Sequence, residues 1–137
     1  MENKKTVHNM LIKPEYFELV KSGVKKYEVR TNDERRKAMK IGDQILLIKE
    51  PEKVETLLLD IVDKKEYPNF TTLYDSLPKR DVGFEGRETK DIVQELRRFY
   101  TEEQENQIGV VAIEVALAKE DVIEGPPKLL VKTNNKN

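Results

Sequence analysis

Gly23-Val24-Lys25-Lys26-Tyr27-Glu28-Val29-Arg30, with Gln44-Ile45-Leu46-Leu47-Ile48-Lys49 and the longer run from Val54 to Val62, decides the fold. Tyr27 and Val29 alternate with Glu28 and Arg30, the period-two signature of a strand over Lys25–Arg30. Lys40-Ile41-Gly42-Asp43 turns the chain into Gln44–Lys49, and Glu50-Pro51-Glu52 turns it again into Val54–Val62. Connections this short cannot supply the crossover that parallel neighbours require, so pairing is expected to be mostly antiparallel.

Upstream, Val7–Ile12 reads as a first strand ended by Lys13-Pro14. Pro14 suits the first position of a helix, where its missing N–H costs nothing. Tyr16, Leu19 and Val20 follow at helical spacing, and Ser22-Gly23 stops the helix with a residue free to take positive φ. Asn32–Met39 reads as a short polar helix. Downstream, Tyr67–Asn106 is expected to be helical: a short helix near Thr71–Leu77, a loop, and a helix over Thr89–Tyr100 with Ile92, Leu96 and Phe99 on one stripe. Thr101-Glu102-Glu103-Gln104 has the capping-box pattern that starts a new turn, which Gly109 ends. Val111, Ile113, Val115 and Leu117 then alternate with Ala112, Glu114 and Ala116, the clearest strand of the chain. An α+β fold follows: a small, mostly antiparallel (mixed) β-barrel of about five to six strands with peripheral helices, curled so as to leave no open edge. The domain is expected over 1–118, with a loosely held tail over 119–137 in which Leu129, Leu130 and Val131 could add a short edge strand.

Composition narrows the chemistry. The 137 residues suit one domain, since domains run roughly 50 to 250 residues. No run approaches the roughly 20 apolar residues of a membrane span, and Met1–Lys5 is unlike a signal peptide, so a cytoplasmic location without membrane contact is expected. With no Cys and only His8, thiol catalysis and thiolate or imidazole-rich metal sites are excluded, and neither metal nor cofactor is expected. His8 reads as a hydrogen-bonded structural group. The net charge of -1 hides a separation: Lys25–Lys40 holds seven basic and three acidic residues, a local +4, while Thr101–Glu124 holds seven acids against Lys119, a local -6. A basic patch of that size attracts phosphate-bearing ligands through its local field.

Lys25, Glu28 and Arg30 are the candidates for chemistry. Arg presents a planar fork suited to phosphate or carboxylate, Lys a compact charge, and Glu accepts hydrogen bonds from a nucleobase edge or orients the bases beside it. Strict alternation places Lys26, not Lys25, on the face of Glu28 and Arg30, so Lys25 joins them only if the turn reaches around. An exposed ion-pair ladder is the alternative for such a trio. Arg35 extends the basic set, and Tyr100 is placed either to stack on a base or to pack in the core. Tyr67, Phe70 and Tyr74 have the spacing of a helix packed on the sheet.

Gly23, Lys25, Glu28 and Arg30 match G-x-K-x-x-E-x-R position by position, and with the runs His8–Ile12, Phe17–Arg30, Lys40–Asp43, Phe99–Glu105 and Gly109–Glu114 the chain resembles the ASCH domain family over roughly Val7 to Val115. The resemblance implies a PUA-like barrel whose mouth, lined by the motif's Lys, Glu and Arg, takes RNA or a nucleotide-like small molecule. Some members act as ribonucleases, and one branch hydrolyses the amide of an acetylated cytidine with Thr three residues after the motif Lys. Glu28 stands at that position here, so no hydroxyl is present there. Two readings follow. One is a binding module in which Lys25, Glu28, Arg30, Arg35 and Tyr100 contact phosphate and base. The other is a hydrolase on RNA or modified nucleosides, with Glu28 as base and Lys25 as electrostatic stabiliser. A protein-interaction domain using the acidic C-terminal stretch is a third.

Overall fold

The computed structural model describes residues 5–119. In chain order they form β1 (Val7–Ile12), α1 (Pro14–Lys21), β2 (Tyr27–Thr31), α2 (Glu34–Lys37), β3 (Gln44–Lys49), β4 (Thr56–Tyr67), α3 (Phe70–Ser76), a 3-10 turn (Lys79–Val82), α4 (Thr89–Leu96), α5 (Glu102–Ile108) and β5 (Val110–Leu117). The five strands make one mixed sheet in the order β1-β3-β4-β5-β2, which curls into a half-barrel with β1 and β2 as its edges. The tail and edge strand expected beyond Lys119 lie outside the described residues.

Two pairings differ from a simple meander. β1 runs parallel to β3 from Val7↔Gln44 to Ile12↔Lys49, because the chain between them, carrying α1, β2 and α2, is long enough to cross over. β2 does not pair with β3; it pairs antiparallel with β5, from Tyr27↔Glu114 to Thr31↔Val110. The reason lies in β5. Val110, Val111, Ala112 and Ile113 are all fully buried, so both faces of this strand are covered and both edges need partners; β4 supplies one and β2 the other.

That two-sided burial divides the interior. Met10, Ile12, Ile45, Leu47, Leu59, Ile61, Val111 and Ile113 fill the concave face, closed by Phe17 and Val20 of α1. Val110 and Ala112 point the other way, against Phe70, Leu73 and Tyr74 of α3, Val82 of the 3-10 turn and Ile92 of α4. A bulge between Ile61 and Asp63 bends β4, the curvature a half-barrel of so few strands requires. Asn69 caps α3 through Thr72 N at 2.8 Å, Thr101 caps α5 through Gln104 N at 3.0 Å, and Asp33 caps α2 through Arg36 N at 3.0 Å. His8 is structural as expected: its Nε2 lies 2.9 Å from Asp43, whose carboxylate also accepts from Lys40 N and Thr6 N.

One helix is shorter than its sequence pattern. α4 ends at Leu96, so Phe99 leaves the stripe of Ile92 and Leu96 and is 58% exposed. The open edges are held by side chains: Arg30 of β2 donates to Leu11 O at 3.3 Å, and Arg35 of α2 donates to Asn9 O at 3.3 Å. Both carbonyls belong to β1.

Gly83 ends the 3-10 turn at φ 88°, and a Cβ there would meet the Lys25 Cδ and Cε atoms at 3.2 Å. Gly83→Ala is therefore expected to cost about 1–3 kcal/mol in urea unfolding, from backbone strain and from pressure on Lys25. An unchanged midpoint would show that neither contact nor conformation matters there.

Candidate functional site

Gly23 sets the geometry. At φ 86° it breaks α1, its N–H bonding Val20 O while the N–H groups of Val24 and Lys25 both bond Leu19 O at 3.0 Å. Regular strand begins only at Tyr27, so Lys25 belongs to the turn. Its side chain folds inward and is 7% exposed, whereas Lys26 is exposed and uses its backbone, donating to Asp81 O and accepting from Val115 N. The turn thus overrides strict alternation and delivers Lys25 to the face of Glu28.

Lys25 Nζ donates to Glu28 Oε2 at 2.6 Å and to Tyr27 O at 2.5 Å. Arg30 Nη1 stands 3.4 Å from Glu28 Oε1 and donates to Val29 O at 3.2 Å. Glu28 is 1% exposed, and its Oε1 has no hydrogen-bond partner. Burial alone would raise the Glu28 carboxyl, but the charges of Lys25 and Arg30 overcome it and hold the group below the ordinary glutamate range. Burial pushes the Lys25 ammonium below the usual lysine value, against the pull of Glu28. The product is a buried, ionised carboxylate with one oxygen committed to Lys25 and the other facing Arg30 without a hydrogen bond.

A hollow of about 350 Å³ opens over this carboxylate. Lys25, Glu28 and Arg30 line it together with Leu11 and Ile12 of β1 and an aromatic wall of Tyr16, Tyr74, Phe84, Phe99 and Tyr100. The wall is braced ring on ring: Phe84 meets Tyr16 and Tyr74 edge-on, each at 5.8 Å, and Tyr100 lies 5.4 Å from Phe70. Phe99 stands exposed in the lining with Lys13 Nζ 5.0 Å from its ring centre. Three cations (Lys13, Lys25, Arg30) and four acids (Glu15, Glu28, Glu50, Glu95) line the hollow, so it is polar without being an anion trap.

Of the sequence candidates, Lys25, Glu28, Arg30 and Tyr100 come together here. Arg35 does not; it lies over β1 in a neighbouring hollow. Phe70 and Tyr74 pack in the core from α3, Phe70 behind the wall and Tyr74 within it, whereas Tyr67, expected on the same helix, is the last residue of β4. Phe84 and Phe99 were missed: Phe84 follows a glycine in a loop with no periodicity, and Phe99 fitted a helical stripe that ends too early to hold it. Among the described residues no cluster of His, Asp or Glu could hold a metal ion, and no helix is long and apolar enough to cross a membrane.

The ASCH domain pattern matches residues 10–119. The chain belongs to the ASCH domain family. This family is generally thought to bind RNA. The chain is 32% identical to the hypothetical protein PH0355, over 82% of this chain and 100% of that one, with a TM-score of 0.71. It is 30% identical to protein PF0455 from Pyrococcus furiosus, over 82% of this chain and 97% of that one, with a TM-score of 0.65. An ASCH mutant protein from Zymomonas mobilis, 13% identical over 90% of this chain and 85% of that one, shares the fold with a TM-score of 0.57. No curated protein matches the chain.

Removing one member of a buried pair strands the other. Lys25→Met is expected to cost about 3–5 kcal/mol in urea unfolding. Lys25→Met combined with Glu28→Gln should cost clearly less than the two single changes added together. Strict additivity would mean that the two side chains do not depend on each other.

Proposed function

We propose that the hollow over Glu28 binds one base of a single-stranded RNA segment or of a nucleotide. The observation that supports this reading is the buried, unpartnered Oε1 of Glu28 beside the Arg30 guanidinium. A buried acceptor without a donor is costly, so a ligand N–H that reaches it is favoured strongly. Acceptor and donor side by side fit the edge of a nucleobase, where N–H groups neighbour ring nitrogens or carbonyl oxygens. The aromatic wall matches the flat apolar faces, and Phe99 and Tyr100 are the rings best placed to stack. Unpaired RNA exposes such edges and faces; a duplex hides them.

Lys25 serves this site from behind. Two of its three protons are committed to Glu28 and Tyr27 and its side chain is buried, so it holds the carboxylate ionised and in place instead of contacting phosphate. The same arrangement favours binding over turnover. A general base works best with a pKa near the operating pH, and a carboxylate held below its ordinary range takes up a proton poorly. RNA binding is the role generally thought to belong to this family, which agrees with the reading.

Phe99 is exposed, so Phe99→Ala tests the site without disturbing the core. Binding of a short fluorescent single-stranded RNA, followed by anisotropy, should weaken by about 1–3 kcal/mol in Phe99→Ala. It should weaken again in Arg30→Gln, while a duplex of the same sequence binds poorly to every form. Equal affinity of wild type and both variants would remove the hollow as the site of contact.

A further inference from the structure

A second hollow, also about 350 Å³, adjoins the first, with Arg30 and Leu11 lining both. Its other lining residues include Asn9 and Ile48 with Arg35 and Arg36, so it holds three guanidinium groups and no acid. Arg36 Nε is buried without a hydrogen-bond partner, and its Nη1 has only a distant contact, 3.8 Å, with Asp33. Asp33 is already engaged with the backbone of Arg36. Arg35 has no ion pair among the described residues; it reaches Asn9 O alone. Arg30 turns toward Glu28 on one side and Leu11 O on the other. Burial and the nearby charges of Arg30 and Arg35 also push the Arg36 guanidinium below its ordinary value, a crowding that an anion would relieve.

We propose that this three-arginine hollow takes the phosphate group joined to the base bound in the first, so that the protein recognises a nucleotide and not the bare nucleoside. The inference rests on the base-binding reading and adds a second subsite to it. The contrast between the linings carries it: four acids among the polar groups of the first hollow repel phosphate, and none in the second does. Guanidinium forks match phosphate oxygens in shape as well as charge, and Arg36, which lines this hollow, has its Nε buried without a hydrogen-bond partner. The shared chemistry is a phosphate ester on a nucleoside, whether from a mononucleotide or from the backbone of a strand.

Calorimetry on the full chain separates the possibilities. The probes are the four ribonucleosides, their 3′- and 5′-monophosphates, and a short single-stranded RNA. At least one nucleoside should bind, and its monophosphate should bind about tenfold tighter or more. Arg35→Gln with Arg36→Gln should erase that gain and leave the nucleoside's own affinity unchanged. Arg35→Gln alone, at an exposed position, should remove part of it even if the double variant folds poorly. For the strand, the salt dependence should fall by about one unit of slope in the variant if a backbone phosphate occupies the hollow; an unchanged slope with a lost monophosphate gain assigns it to mononucleotides. Nucleoside binding with no gain from phosphate, or a gain that survives both substitutions, would overturn the inference and leave the base reading standing. A phosphate-dependent gain without any nucleoside affinity would keep the arginine hollow and overturn the base reading. Binding of neither probe class would overturn both.

Discussion

A lysine ammonium and a glutamate carboxylate lie 2.6 Å apart where water does not reach, and the site follows from that contact. Such a pair is weak evidence of stability, because desolvating two ions costs about as much as their attraction returns. Its effect is on position and charge. Lys25 fixes one carboxylate oxygen and leaves the other ionised beside Arg30, without a hydrogen bond, in a residue that lines the hollow. Several elements meet to allow it: the left-handed Gly23 that ends α1, the Gly83 that leaves room for the lysine stem, and β2, which carries Glu28 and Arg30 along one face.

The sheet explains why this hollow sits at an edge. β5 is covered on both faces and paired on both sides, so it anchors β2 from within. β2 is then an outer strand whose other side faces β1 across an unclosed gap. Arginines span that gap by donating to β1 carbonyls, which protects edges that would otherwise invite pairing with another chain. The guanidinium groups that hold the edges together are also the charges that line the second hollow. Closing the half-barrel and presenting cations to a ligand are therefore tasks of the same side chains.

Much of this was legible in the sequence, and for physical reasons. β1 and β3 have the boundaries their apolar runs imply, the capping box at Thr101 starts α5, and Gly23 ends α1. The motif spacing brought Lys25, Glu28 and Arg30 to one place, and the basic stretch from Lys25 to Lys40 contains every arginine of the second hollow. What the pattern did not carry was long-range. Periodicity shows which face of β2 is apolar and says nothing of its partner, so the pairing with β5 and the parallel β1–β3 contact came only from the fold. Alternation misplaced Lys25 because it presumes a strand where the chain is still turning. Arg36 reads as a solvated helical residue until tertiary packing buries it. Phe99 was assigned to a stripe whose helix stops short.

The site depends on a Glu28 carboxyl that stays ionised while buried. A carbon-13 NMR titration of that carboxyl in the folded protein tests it directly. An ordinary glutamate takes up its proton near pH 4.3, at about the value the unfolded chain would show. With the folded value depressed, the charge should persist through that pH, and the pair's contribution to stability should be full above the ordinary value, fall as acid is added below it, and be gone below the lower folded value. A titration midpoint at or above the ordinary value would contradict the account, because burial would then outweigh Lys25 and Arg30, and a midpoint above neutral pH would mean that the carboxyl carries its own proton and that the site has no buried anion.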